Sequence, residues 1–168
     1  MTFCSYNPYQ VLSLDPQLTV LKKLVDLAGL KSAVEKLSNS TLFAPTDAAF
    51  AAKAGLVEYL SEPNNKELLT NVLLYHITGK PLTTLDLVPT RVLNMLDGSI
   101  TVIYAALYLN FVPVIQDRIQ ENYDIIEGNI ATSCGTYIQK INGVLQPKTI
   151  YYPKILNPPN SVWNAQQL

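Results

Sequence analysis

The sequence predicts a single α+β domain in which helices come first and strands follow. Apolar residues at helical spacing, together with helix-capping residues, occupy the first half of the 168-residue chain. Short apolar segments separated by turn dipeptides occupy the second half. Helices and strands that are segregated along a chain are typical of an α+β fold and not of a doubly wound parallel sheet. The length suits one domain, since domains most often contain roughly 100–150 residues.

The first helix is predicted after Asp15-Pro16, because aspartate is a good N-cap and proline suits the first helical position. Gly29 stands where a C-terminal cap belongs. A short second helix is expected over Lys31–Leu37. The apolar residues that recur at helical spacing in the first helix are Leu18, Leu21, Leu24, Val25 and Ala28.

A strand and two further helices are predicted next. Thr41–Ala44 is a short strand candidate that Pro45 stops. Thr46 can cap a helix over Asp47–Ala54, which Gly55 would end, and the charge of Asp47 favours the positive end of that helix. Another helix opens at Pro63. It places one apolar face at Leu69, Val72, Leu73 and His76.

Turn dipeptides organise the second half. Asp97-Gly98 predicts a hairpin between Arg91–Leu96 and Ile100–Tyr104. Asn142-Gly143 predicts another tight hairpin turn, between Tyr137–Ile141 and Val144-Leu145. Two apolar segments between these hairpins are also strand-like, namely Ala106–Val112 and Val114–Ile119.

Composition excludes several classes of protein. A net charge of −1 offers no basic face for nucleic acid. No apolar run approaches the roughly 20 residues of a transmembrane helix. One histidine and two cysteines exclude multi-histidine and paired-cysteine zinc sites. We therefore expect no nucleic-acid partner, no transmembrane segment, no metal and no cofactor.

No catalytic set is recognisable either. Nothing in the sequence brings Cys134 close to His76, and a cysteine nucleophile needs such a base within hydrogen-bond reach. The acidic residues around Arg118 are interpreted as a solvated face, because a calcium loop has a denser run of oxygen ligands. These acidic residues are Asp117, Glu121, Asp124 and Glu127. The sequence thus predicts that the protein is not an enzyme.

Three stretches, in this order, resemble the fasciclin-like (fasciclin I) domain family. They are Thr41–Phe50, which reads TLFAPTDAAF; Leu73–His76, which reads LLYH; and Gly135–Pro147, which reads GTYIQKINGVLQP. The sequence departs from the family pattern at Cys134, where asparagine is usual, and at Asn142, where aspartate is usual. Residues 107–127 also look longer than the family norm.

The resemblance implies a β-sandwich-like wedge of strands flanked by several helices. Residues 1–150 would form this domain and residues 151–168 a C-terminal tail. Such domains act mainly as extracellular adhesion or matrix-interaction modules without catalytic activity, so we expect a secreted or cell-surface protein that binds protein or glycan partners, with weak self-association as a further expectation. The alternative is a carrier of a small apolar ligand such as a carotenoid or lipid, as a few family members are.

The resemblance also suggests roles for individual residues. Some family members suggest an interaction role for Tyr75 together with His76, although helical spacing points His76 inward and leaves Tyr75 as the more exposed of the two. The competing interpretation of His76 is a core histidine that is hydrogen-bonded to a backbone carbonyl. Structural roles are expected for Phe43, Pro45, Thr46, Asp47, Phe50, Asn142 and Gly143.

The compartment is less clear from the residues themselves. No secretory signal is visible in Met1–Leu14, so the protein is either cytosolic or a form whose leader was removed. Asn39-Ser40-Thr41 is an N-glycosylation sequon, which matters only after secretion. A bridge between Cys4 and Cys134 is compatible with the sequence but is not established by it.

Overall fold

The structure, a computed structural model, describes residues 5–88, 91–106 and 112–150. The helices are α1 (Pro8–Leu14), α2 (Thr19–Ala28), α3 (Lys31–Glu35), α4 (Asp47–Ala51), α5 (Ala54–Ser61), α6 (Lys66–Leu74) and α7 (Thr84–Leu87), with a 3-10 turn at Pro63–Asn65. The strands are β1 (Thr41–Pro45), β2 (Ile77–Thr78), β3 (Arg91–Asn94), β4 (Ile100–Ala106), β5 (Val112–Gln116), β6 (Asn122–Ala131) and β7 (Tyr137–Ile141).

The strands form one seven-stranded sheet in the order β2-β1-β7-β6-β5-β4-β3. The central pair, β1 and β7, is parallel, and the other neighbouring strands are antiparallel. The two edges meet, because Thr78 bridges Met95 and the Leu96 N–H donates to the Ile77 carbonyl at 2.8 Å. The sheet is therefore nearly barrel-shaped, and the expected sandwich is not confirmed.

Residues on β1 and β7 alternate between two cores, as the pleat of a strand requires. Leu42 and Ala44 face the helices and pack with α2, α5 and α6, and Ile138 does so from β7. Phe43 and Ile141 point into the barrel. The helical layer and the barrel thus share these two central strands.

The N-terminal helices differ from the prediction. Asn7 begins an unpredicted helix, α1, with a capping box to Gln10, and Asp15 is the C-terminal cap of that helix. Helix α2 starts only at Thr19, so the prediction that Asp15 is its N-cap was wrong. The physical reason is that the Asp15 carboxylate is already occupied by the Gln17 N–H at 2.9 Å and by Lys140 Nζ at 2.5 Å.

A carboxylate from another helix caps α2 instead. Asp47 accepts hydrogen bonds from Thr19 Oγ1 at 2.5 Å and from the Val20 N–H at 2.9 Å. Its neighbour Thr46 caps α4 by accepting from the Ala49 N–H at 3.3 Å. Consecutive residues of the TLFAPTDAAF stretch thus cap two different helices, and Asp47 ties the start of α2 to the start of α4.

Replacing Asp47 with alanine is expected to lower the free energy of unfolding by about 1–2 kcal/mol, because two N-terminal donors of α2 lose their acceptor. Urea unfolding followed by circular dichroism measures the loss. Asp47→Asn, which keeps an amide oxygen, should lose less. Equal losses for the two variants would show that the negative charge, and not the cap, is what matters.

Helix α4 ends earlier than predicted. Gly55 does not end it, since α4 stops at Ala51 and Gly55 lies in the first turn of the unpredicted α5. The last large helix agrees better with the prediction, because the 3-10 turn at Pro63 leads into α6 and Leu69, Val72 and Leu73 are buried.

The two predicted hairpins have different outcomes. β3 and β4 form the first, with Gly98 in the left-handed region at φ +86°. The second is wrong: β7 pairs with β1 and β6, and after Gly143 the chain leaves the sheet. Val144 and Leu145 are buried, one in each core. We call residues 142–146 the closing segment.

The region between the hairpins is only partly described. Its strands are β5 and the long β6, whose first residue Asn122 lies beyond the predicted Val114–Ile119 segment. Residues 107–111, in the part expected to be longer than in the family, lie outside the described residues, as do Cys4 and the predicted tail at 151–168.

Candidate functional site

His76 is buried at the junction of α6, β1 and the closing segment. Its side chain accepts the Leu145 N–H at Nε2 over 3.0 Å, so Nδ1 carries the proton and donates to the Val72 carbonyl at 2.7 Å. Its main-chain carbonyl accepts the Phe43 N–H at 2.8 Å. Burial lowers the pKa of the imidazole to about 4, against smaller raising effects from the Val72 carbonyl and the Asp97 carboxylate. The ring is therefore a neutral structural connector near neutral pH.

Tyr75 is buried as well, with 0 % of its surface exposed against 1 % for His76. The expectation that Tyr75 is the more exposed of the two is wrong. Its ring lies in the barrel core and its hydroxyl donates to the Ile100 carbonyl at 3.1 Å. Burial raises the pKa of that hydroxyl. The interaction role of this pair stays a prediction, and in this conformation neither ring is available for direct contact with a partner.

The cysteine does not provide a nucleophile here. Cys134 is disulfide-bonded, so its sulfur is not a free thiol. Cys4, the second of the two cysteines in the sequence, lies outside the described residues.

The acidic cluster is not simply a solvated face. Asp117 is buried, and its carboxylate accepts the N–H groups of Ile119, Glu121 and Gln146 at 3.0–3.1 Å. Burial raises its pKa, partly offset by these three donors. Asp117 therefore holds the β5–β6 turn against the closing segment. Among the described residues, no group of three or more histidine, cysteine or acidic side chains is placed to hold a metal.

Asn142 and Gly143 anchor the start of the closing segment. Asn142 Oδ1 accepts the Asp124 N–H at 2.9 Å, and Nδ2 donates to the Asp124 carboxylate at 3.3 Å. An aspartate here would place two carboxylates together, so the amide suits this neighbour. Gly143 lies directly against the ring of Tyr123.

The sequon asparagine lies on the surface. Asn39 is exposed in the loop between α3 and β1, with φ +47°, and its N–H donates to the Cys134 carbonyl at 3.1 Å. The third sequon residue, Thr41, is buried in β1. Glycosylation at Asn39 remains a prediction.

An open cleft of about 530 Å³ lies between α1, the α1–α2 loop and strands β6 and β7. We call it the α1–β6 cleft. Its lining is part apolar and part polar, and its charged groups are Lys140, Asp15 and Glu127. The remaining lining residues are Tyr6, Val11, Leu14, Pro16, Gln17 and Ile130.

Lys140 is the central charged group of this cleft, and its side chain is only 5 % exposed. Its ammonium donates to Asp15 at 2.5 Å, Glu127 at 2.7 Å and Gln17 Oε1 at 3.2 Å. Desolvation acts to lower the pKa of Lys140, but the hydrogen bonds to the two carboxylates outweigh it and the pKa is raised. The ammonium is thus charged near neutral pH and bonded to three acceptors, and it is not available as a base or nucleophile.

Lys140 lies within the predicted strand Tyr137–Ile141, and no functional role was predicted for it. The available signal was its position two residues after Ile138 in an alternating strand, which puts it on the face that packs against the helices. A lysine on such a face requires anionic partners. The sequence does not reveal that one partner comes from the α1–α2 loop.

A fasciclin domain family model matches residues 16–147, most of the chain. The chain belongs to the fasciclin domain family. The match starts at Pro16, so α1 and Asp15, which form one side of the α1–β6 cleft, precede it. The described part of this fasciclin domain contains no helix of sufficient length and apolar character to span a bilayer.

One protein of similar sequence and one solved structure of similar fold can be compared with this fasciclin domain. "Protein sll1483" of Synechocystis sp. is 34 % identical over 84 residues, which are 49 % of this chain and 47 % of that protein. A FAS1 domain pair from the insect cell adhesion molecule fasciclin I superposes with a TM-score of 0.73 at 15 % identity, covering 85 % of this chain and 51 % of that one. The chain thus spans about half the length of each, and the structural likeness shows the shared fold alone.

Proposed function

We propose that this fasciclin domain is a non-catalytic interaction module that is secreted or displayed at the cell surface and binds a protein or glycan partner. The family is generally related to adhesion, and the structural neighbour comes from a cell adhesion molecule. The main support for the proposal is that three potentially reactive side chains of the domain are already engaged in bonds. His76 is bonded on both ring nitrogens, Lys140 is bonded to three acceptors and Cys134 is in a disulfide.

The disulfide supports the location that we propose. Disulfides persist in oxidising compartments and are rare in the cytosol. A secreted or surface-displayed domain therefore accounts for a bonded Cys134 better than a cytosolic one does.

An interaction module also accounts for the α1–β6 cleft better than a carrier of a carotenoid or lipid does. A site for a small apolar ligand usually encloses most of the ligand surface. This cleft is open and includes an ion pair network in its lining. Such a recess suits contact with part of a larger partner.

The expected result is that the immobilised domain captures specific surface or matrix components from an extract of its native source, and carries no coloured or apolar molecule. Mass spectrometry identifies the captured species, and native mass spectrometry of the purified domain detects a retained ligand. A stoichiometric apolar ligand without any captured partner would contradict the proposal. So would turnover of a generic ester, peptide or glycoside that is lost in a folded His76→Gln variant.

A further inference from the structure

Resting on the proposed function, we infer that the α1–β6 cleft receives a basic side chain, arginine or lysine, from a protein partner. The cleft carries an excess of negative charge. Its two carboxylates, Asp15 and Glu127, face a single ammonium, that of Lys140, and the other lining residues are uncharged. One negative charge is therefore left over in a cleft whose uncharged lining residues, Gln17 apart, are mainly apolar.

The two carboxylates are not equally available. The Asp15 side chain is 16 % exposed and both of its oxygens are bonded, one to Lys140 and the other to the Gln17 N–H. The Glu127 side chain is 56 % exposed and bonds Lys140 through Oε2, and its Oε1 makes no hydrogen bond to the described residues. Glu127 is consequently the group that can accept a donor from outside.

The apolar lining residues of the cleft indicate what kind of side chain brings that hydrogen-bond donor. Val11 and Leu14 of α1, Pro16 of the following loop and Ile130 of β6 present aliphatic surface, and Tyr6 adds an aromatic ring. Leu14 is 74 % exposed, so its aliphatic surface is accessible to a partner that enters the cleft.

Arginine and lysine combine the two properties that the cleft requires. Their methylene stems cover apolar surface while the charged head remains at a polar group. Arginine is favoured because its guanidinium pairs with a carboxylate through directed hydrogen bonds and stacks on aromatic rings. A neutral glycan would bring no positive charge to offset the extra carboxylate.

The probe is a synthetic peptide in which arginine alternates with leucine, and the matched probe replaces arginine with its neutral isostere citrulline. NMR titration of the isotope-labelled domain should show shifts of Glu127, Ile130 and Lys140 amides with the arginine peptide. The citrulline peptide should bind about tenfold more weakly, the factor expected for loss of one charge-assisted hydrogen bond. Equal affinity for the two peptides would overturn the inference.

Two variants with matched controls locate the contact. Glu127→Gln should weaken binding of the arginine peptide about tenfold and Leu14→Ser about fivefold, from the lost charge and the lost apolar contact. Glu58→Gln and Leu85→Ser, which change an exposed glutamate and an 81 % exposed leucine away from the cleft, should leave binding unchanged. Thermal melts verify that each variant folds.

The outcomes separate this inference from the proposed function. If captured partners cross-link to the domain at another face and Glu127→Gln leaves their capture unchanged, the assignment of the cleft fails while the interaction function stands. If a captured glycan occupies the cleft, the basic side chain is likewise excluded. If the domain captures no partner but the arginine peptide binds in the cleft with the expected charge dependence, the cleft assignment stands and the wider function fails.

Discussion

Replacing His76 with alanine is expected to lower the free energy of unfolding by about 4 kcal/mol. The substitution leaves the Leu145 N–H and the Val72 carbonyl without their buried partner and opens a cavity between the helices and the closing segment. Urea unfolding followed by circular dichroism gives the value. His76→Gln, which offers both a donor and an acceptor, should recover part of the loss.

The pH dependence provides a second readout of the same group. Because the folded-state pKa of His76 is about 4 and the usual value is 6.5, the unfolded chain binds the proton more tightly. The stability that His76 contributes is thus complete above pH 6.5 and is lost as the pH falls towards 4, by about 3 kcal/mol. The glutamine variant should lack this part of the acid destabilisation. Identical pH profiles for the two proteins would contradict a buried neutral imidazole.

The second large effect is expected at Gly143, where alanine should cost about 3 kcal/mol of unfolding free energy through overpacking. A Cβ at this position would lie 1.8 Å from Cδ1 and 2.0 Å from Cε1 of Tyr123. The ring cannot move away easily, because Lys53 and Glu121 both hydrogen-bond its hydroxyl. Urea unfolding again measures the loss.

Two comparisons test the cause of that loss. Gly79→Ala is the matched control, since a Cβ there meets nothing within 4 Å, and it should leave stability nearly unchanged. In a Tyr123→Ala background, Gly143→Ala should cost much less, because the ring that it strikes is gone. A full loss in that background would mean that backbone conformation, and not the tyrosine, requires glycine.

The helix starts show how far local sequence signals extend. Thr46 was predicted to cap the helix that it precedes, and it does so because a cap needs only a donor three residues later. Asp15 has an equally good local signal but forms an ion pair with Lys140, while Asp47 caps α2 from a distant part of the chain. Capping propensity describes what a carboxylate can accept and not which donor reaches it.

The turn signals show the same limit. Asp97-Gly98 joins β3 and β4, which pair with each other as neighbouring antiparallel strands. Asn142-Gly143 has as strong a hairpin signal, yet β7 already has β1 and β6 as partners and no edge remains for another strand. The closing segment is held instead by His76, Asp117 and Asp124.

The sequence by itself determined the family, the α+β order of helices and strands, and the inward orientation of His76, since these depend on periodicity and motif order along the chain. Only the tertiary structure decided that the sheet closes on itself, that Tyr75 is buried and that Lys140 lies between Asp15 and Glu127 in an open cleft. These features arise where segments far apart in the chain meet. Their energies depend on desolvation and on charge pairing across space, which no local pattern of residues records.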